Sequence, residues 1–89
     1  MPALATEFHS DTETHLTEIL RYDEDGMLLR RSPAPTSVGR HFWLEFVLPA
    51  GGKARALVLV VGRDAETTRV RFKHLWPRHR AAYRELVSA

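Results

Sequence analysis

Between Arg40 and Leu48 apolar residues recur at every second position, the period of a β-strand with one buried face. Phe42, Leu44, Phe46 and Leu48 share one side, and His41, Trp43, Glu45 and Val47 share the other. The flanking segments read in the same way. Thr14 to Leu20 is rich in β-branched and aliphatic residues, and Met27 to Arg30 is a second short strand. Asp23-Glu24-Asp25-Gly26 joins them as a hairpin turn, with Gly26 expected to supply a positive φ. Ala54 to Val61 is almost continuously aliphatic, so both its faces are expected to be covered. Thr67 to His74 sets Val70 and Phe72 against Arg69, Arg71 and Lys73. Ser32 to Gly39, Pro49 to Gly52 and Gly62 to Glu66 carry the prolines, glycines and acids of loops and turns. Pro77 suits the first turn of a helix, along which Tyr83, Leu86 and Val87 form an apolar stripe. These segments predict a mainly β fold, a small six-stranded barrel with one C-terminal helix from about residue 77. Residues 1–12 are expected to be a loosely ordered lead-in, and residues 13–89 a single domain.

A chain of 89 residues hides only about 60% of the surface that its unfolded form exposes, which leaves little volume for a deep catalytic pocket. The sequence contains no cysteine, which excludes thiolate chemistry and agrees with a reducing cytoplasm. Its first residues lack a basic and then apolar leader, and no apolar run is long enough to insert in a membrane. Charge is unevenly placed. Residues 1–25 hold seven acids against one base, Arg21, whereas residues 26–89 hold twelve bases and four acids. The expected consequence is complementarity within the domain, with the acidic first part lying on the basic remainder.

Few constellations in the chain carry chemistry. Ser10, Ser32, Ser37 and Ser88 stand in no nucleophile elbow, and no glycine-rich phosphate loop opens a helix, so no enzyme is expected. His9, Asp11, Glu13 and His15 alternate and would face one side of a strand. Ligands two apart on one strand converge poorly on a tetrahedral centre, so the segment reads as the solvated face of an edge strand and no metal is predicted. Arg69, Arg71 and Lys73 form a basic stripe with Arg78, Arg80 and Arg84 nearby in sequence. The stripe reads as a solvated edge paired with the acidic N-terminal strand, ahead of a track for single-stranded nucleic acid. Trp43 lies opposite the face already supplied with Phe42, Leu44 and Phe46. It is either covered by the helix or presented to a partner.

The order of segments over residues 14–87 resembles the PilZ family of bacterial cyclic di-GMP signalling. The resemblance rests on Leu20-Arg21-Tyr22-Asp23-Glu24-Asp25-Gly26-Met27-Leu28-Leu29 and on Val38-Gly39-Arg40-His41-Phe42-Trp43-Leu44-Glu45-Phe46-Val47-Leu48-Pro49. Val70-Arg71-Phe72, followed by Leu75, Pro77 and Arg80, completes it. It implies a barrel without catalytic activity. In the family's D/NxSxxG pattern Arg21 stands in place of the acid or amide and Asp23 in place of the serine, while Gly26 matches. The family's upstream RxxxR has no counterpart, since no Lys or Arg precedes Arg21. The resemblance therefore implies an adaptor that binds another protein, of unknown identity, without a cofactor; Trp43, singled out by its place on the strand, is the candidate contact. The alternative keeps cyclic di-GMP as ligand in a non-standard site made of Arg21, Asp23, Gly26, Arg30, Arg69 and Arg71. A homo-oligomer is left open.

Overall fold

The computed structural model describes residues 3–34, 36–48 and 51–88. Among them the chain forms strands β1 (Ala3–Phe8), β2 (Thr14–Asp23), β3 (Gly26–Arg30), β4 (His41–Val47), β5 (Lys53–Arg63) and β6 (Thr67–Leu75), then helix α1 (Pro77–Ser88). The strands close into a barrel in the order β1-β2-β3-β6-β5-β4, and every neighbouring pair is antiparallel. The expected six-stranded barrel with one C-terminal helix is what the chain forms. Of the turn expected at Pro49 to Gly52, Pro49 and Ala50 lie outside the described residues.

The N-terminal segment departs from expectation. Ala3 to Phe8 is not a lead-in but the strand that closes the barrel, paired with β2 on one side and β4 on the other. Closure is a matter of volume. Phe46 sits in one row between Ala5 and Ala54, and Leu44 stands opposite Ala56, so small residues on β1 and β5 make room for the large ones of β4. Phe42, Leu44, Phe46 and Leu48 are all buried, as their alternation predicted. On β5 only the inward set Ala54, Ala56, Val58 and Val60 is fully buried. Leu57, Leu59 and Val61 stay half-exposed, which corrects the expectation that both faces are covered.

Three bulges set which side chains point inward. The ladder skips Leu20 on β2, Val61 on β5 and Lys73 on β6, and each extra residue reverses the in–out alternation after it. After Lys73 the parity change turns Leu75 into the core, opposite Ala56. After Val61 it places Arg63 beside the buried Thr68, at one mouth of the barrel. There the guanidinium donates to the backbone oxygens of Ser32, Ala34 and Thr36 and ties the 31–40 loop across the opening. Desolvation lowers the Arg63 pKa from its ordinary value; Arg31 adds to that shift and Glu7 opposes it. Glu7, only 2% exposed, accepts from Ser32 Oγ at 2.9 Å and lies 2.7 Å from His9 Nε2.

The opposite mouth is stoppered by α1. Tyr83 is buried, with its ring edge-to-face on Phe72 at 4.9 Å and on Phe46 at 5.8 Å. Its hydroxyl proton is shared between the carbonyl oxygens of Asp23 (2.8 Å) and Gly26 (2.6 Å), which fastens the β2–β3 turn to the helix. Phe72 N–H grips the same turn by donating to Asp25 O at 2.7 Å. Gly26 is needed here for space and not for a positive φ, because a Cβ at this position would meet Val70 O at 1.9 Å. Burial raises the Tyr83 pKa, and the neighbouring Asp23 adds to the rise.

Gly26→Ala is expected to cost at least about 2 kcal/mol of unfolding free energy, since backbone must move to admit the methyl group. Tyr83→Phe is expected to cost about 1–3 kcal/mol, the price of the lost hydroxyl bonds. Both are read by urea denaturation. Because the Tyr83 pKa is raised on folding, its contribution is complete below the unfolded value of about 10 and is lost as pH rises above it. The wild-type chain should therefore lose stability more steeply than Tyr83→Phe in that alkaline window.

Candidate interaction surface

The residues assigned to a non-standard nucleotide site are only partly brought together. Asp23, Glu24, Asp25, Arg69 and Arg71 line one open cleft of about 450 Å³ beside the β2–β3 turn. Gly26 pairs with Arg71 on β6, and Arg21 and Arg69 flank Leu28 in one cross-strand row. Arg30 is turned away to Glu18 at 3.0 Å. Within the cleft the Asp23 carboxylate lies 3.2 Å from Arg69 Nη1 and also accepts from its own turn at Asp25 N–H. The Arg69 guanidinium is thus engaged by the Asp23 carboxylate. Glu24 and Asp25 add negative charge beside it, which opposes a phosphate.

The acidic and basic halves of the chain do meet, at Glu18–Arg30 and Asp23–Arg69. The route is not the one expected. β6 is no edge paired with the N-terminal strand; it lies between β3 and β5, and its outward Arg71 and Lys73 have no carboxylate partner among the described residues. Nor do His9, Asp11, Glu13 and His15 lie along an edge strand. A turn at Ser10 to Glu13 separates β1 from β2, His9 pairs with Glu7, and His15 pairs with Glu13 at 3.1 Å. Among the described residues no group of three His, Asp or Glu is arranged to hold a metal ion. Ser32, His9 and Glu7 are neighbours, but the hydroxyl and the imidazole both address Glu7 Oε1. Nothing in this cluster places the imidazole as a base on the serine.

The outside of the barrel around Trp43 is the more distinctive surface. Phe8, Trp43, Leu57 and His74 stand in one row across β1, β4, β5 and β6, and the His74 ring meets Trp76 edge-on at 5.0 Å. The helix stoppers the far mouth and leaves Trp43 38% and Trp76 52% exposed. Trp43 is thus left partly in solvent. One row along, Leu16 and Thr6 lead to Glu45 and Arg55. Leu4 and Val47 share a shallow cleft of about 150 Å³ with Leu16, Glu45 and Lys53. Leu4, Leu16 and Val47 are each at least half exposed. Glu45 lies between Arg55 (3.3 Å) and Lys53 (3.7 Å), and the Arg55 guanidinium also stacks 4.3 Å above the Phe8 ring.

Sequence reasoning found Trp43 but missed Leu4, Phe8, Leu16, Leu57 and Trp76 as its surroundings. Leu4, Phe8, Leu16 and Leu57 lie on β1, β2 and β5, which the sheet register sets around β4, and Trp76 follows β6 and meets His74. No family model matches the chain, and no curated protein does. Among the described residues no helix is long and apolar enough to cross a membrane.

If these aliphatic residues serve a surface and not the core, Leu16→Ser and Val47→Ser should change unfolding free energy by no more than about 0.5 kcal/mol. Leu44→Ala, inside the barrel, should cost about 2–5 kcal/mol. Parallel denaturant titrations check both.

Proposed function

We propose that this chain is a non-catalytic, PilZ-like cytoplasmic adaptor that binds another protein through the face around Trp43 and does not hold cyclic di-GMP in the family's manner. The observation that carries the reading is the state of the β2–β3 turn. Its backbone oxygens are taken by Tyr83, and its Asp23 carboxylate is paired with Arg69. A cyclic dinucleotide presents two phosphates and two guanines, which call for guanidinium forks and for an acceptor on the turn. Arg21 offers a donor where an acceptor is wanted, and the segment before it holds no Lys or Arg.

The exposed aromatic and aliphatic face supports the other half of the proposal. Leu4, Leu16, Trp43, Val47 and Trp76 leave large apolar side chains in solvent on so small a domain, the kind of surface on which another macromolecule docks. Trp is prominent among residues that anchor such contacts. Among the described residues the barrel interior is filled by side chains, and the cleft beside Val47, about 150 Å³, is below the roughly 300 Å³ lower end for small-molecule sites, while the larger cleft of about 450 Å³ beside the β2–β3 turn is open and lined by Asp23, Glu24 and Asp25.

A second reading is favoured by one feature, the cleft that Arg69 and Arg71 share with Asp23. In it cyclic di-GMP would bind on the outside of β3 and β6, with Arg21 at the rim. Isothermal titration with cyclic di-GMP separates the two. The adaptor reading expects no saturable heat at micromolar nucleotide. Stoichiometric binding at micromolar affinity or tighter, lost in Arg69→Ala or Arg71→Ala, would replace it with the second.

A further inference from the structure

We infer that the basic stripe on the outside of β6 binds single-stranded nucleic acid. The inference goes beyond the adaptor reading and does not depend on it. Leu4, Leu16 and Val47 lie on β1, β2 and β4, separated from the stripe by β5. An acidic neighbouring strand would make the stripe an internal match, but β6 runs between β3 and β5. Neither Arg71 nor Lys73 has a carboxylate partner among the described residues, whereas Arg69 is neutralised by Asp23. The bulge adds what plain alternation does not. Because the ladder skips Lys73, Lys73 and His74 are both exposed although consecutive in sequence. The two cross-strand rows that start from this part of β6 contain no acid. One runs through His74, Leu57, Trp43 and Phe8, the other through Arg71, Leu59 and His41.

An open cleft of about 300 Å³ lies at the stripe, lined by the apolar Leu59 and Phe72 and by the cations Arg71 and Lys73. Just past the strand the half-exposed Trp76 meets the His74 ring edge-on at 5.0 Å. On its other side Arg71 shares a cleft with Asp23, Glu24 and Asp25, so a chain of phosphates is repelled from the turn. Its favourable path leads from Arg71 past Lys73 to His74, about 10 Å of strand, with Trp76 beyond.

A ligand that matches this strip carries negative charges along a flexible chain and flat rings beside them. Phosphodiesters meet Arg71 and Lys73, and bases stack on the exposed faces of Trp76 and His74 or lie on Leu59 and Phe72. A duplex keeps its base faces covered and engages only the cations. An acidic peptide also satisfies the cations, but its carboxylates offer nothing to the indole and imidazole faces. Recognition through phosphates and base faces does not involve the 2′-hydroxyl, so RNA and DNA strands are expected to bind alike.

The test is fluorescence anisotropy of the whole chain with labelled oligo-U and oligo-dT strands of about 12 nucleotides, repeated over a range of salt. Saturable binding of both is expected at low salt. Log K should fall by about 1.4 per decade of salt, from two phosphates at about 0.7 each. Arg71→Ala and Lys73→Ala should each weaken binding and flatten that slope by about 0.7. Trp76→Ser should lower affinity about fivefold or more and leave the slope unchanged. Arg31→Ala removes an exposed cation at the mouth closed by Arg63 and should change affinity by less than about twofold. Amide and indole shifts of the unsubstituted chain should cluster at Leu59 and at Arg71 to Trp76, a readout that needs no variant to fold.

No saturable binding of either strand at low salt would overturn the inference. So would binding that a duplex or polyglutamate matches and that Trp76→Ser leaves unchanged, since the stripe would then be a general surface for anions or acidic proteins. Shifts confined to the Asp23–Asp25 turn, or to Leu4, Leu16 and Val47, would overturn it by placing the strand elsewhere. The titration with cyclic di-GMP is separate, so failure here leaves the adaptor reading standing.

Discussion

The pairing of Ala5 to Phe8 with both β2 and β4 is the contact on which this molecule depends. Without it the sheet would be an open, strongly curved ribbon with two exposed edges, free to pair with other chains. With it every strand has two neighbours, the interior fills with side chains, and both mouths are stopped from within the chain. Arg63 and the 31–40 loop close one end, and α1 closes the other. A domain of this size that has closed itself so completely has little besides its outer surface with which to act.

The two ends differ in kind. At the helix end an aromatic cluster of Phe46, Phe72 and Tyr83 surrounds a single hydroxyl, and the polar atoms it satisfies are backbone carbonyls of one turn. At the other end a buried carboxylate, Glu7, is served by Ser32 and His9, with the Arg63 guanidinium opposite the loop backbone. The buried carboxylate is tolerated because Ser32 and His9 bond it, and the Arg63 guanidinium is met by loop carbonyls through its Nη atoms, with Nε left unpartnered. In both places the polar residues that a search for chemistry would notice are committed to holding the barrel shut. That is the physical reason for reading function on the outside, around Trp43.

Much of this was legible in the sequence where the alternation is strong. β4 carries its buried set without interruption, and the turn at Asp23 to Gly26 and the helix from Pro77 stand where their residues predict. β1 was not legible. Its inward positions are Ala3, Ala5 and Glu7, and its outward ones are Leu4, Thr6 and Phe8, so its polarity is reversed from that of an ordinary half-buried strand. The bulges at Leu20, Val61 and Lys73 were equally hidden, because an unpaired residue leaves no mark in a one-dimensional pattern. That is why Arg63 read as part of a turn and Leu75 as lying beyond the strand. The role of Gly26 was found for the wrong reason; the close approach of β6, and not dihedral freedom, requires it. The face around Trp43 was seen only as one residue, since its other members join it through register.

Amide hydrogen exchange along β1 tests the closed barrel most directly. The account predicts that the amides of Ala5 to Phe8 exchange as slowly as those of Leu44 to Phe46, because β1 is hydrogen-bonded between two strands. Exchange of the β1 amides as fast as in the Ser10–Thr12 turn, with β4 still protected, would contradict it. The sheet would then stand open between β2 and β4, with an edge free for a strand from another protein.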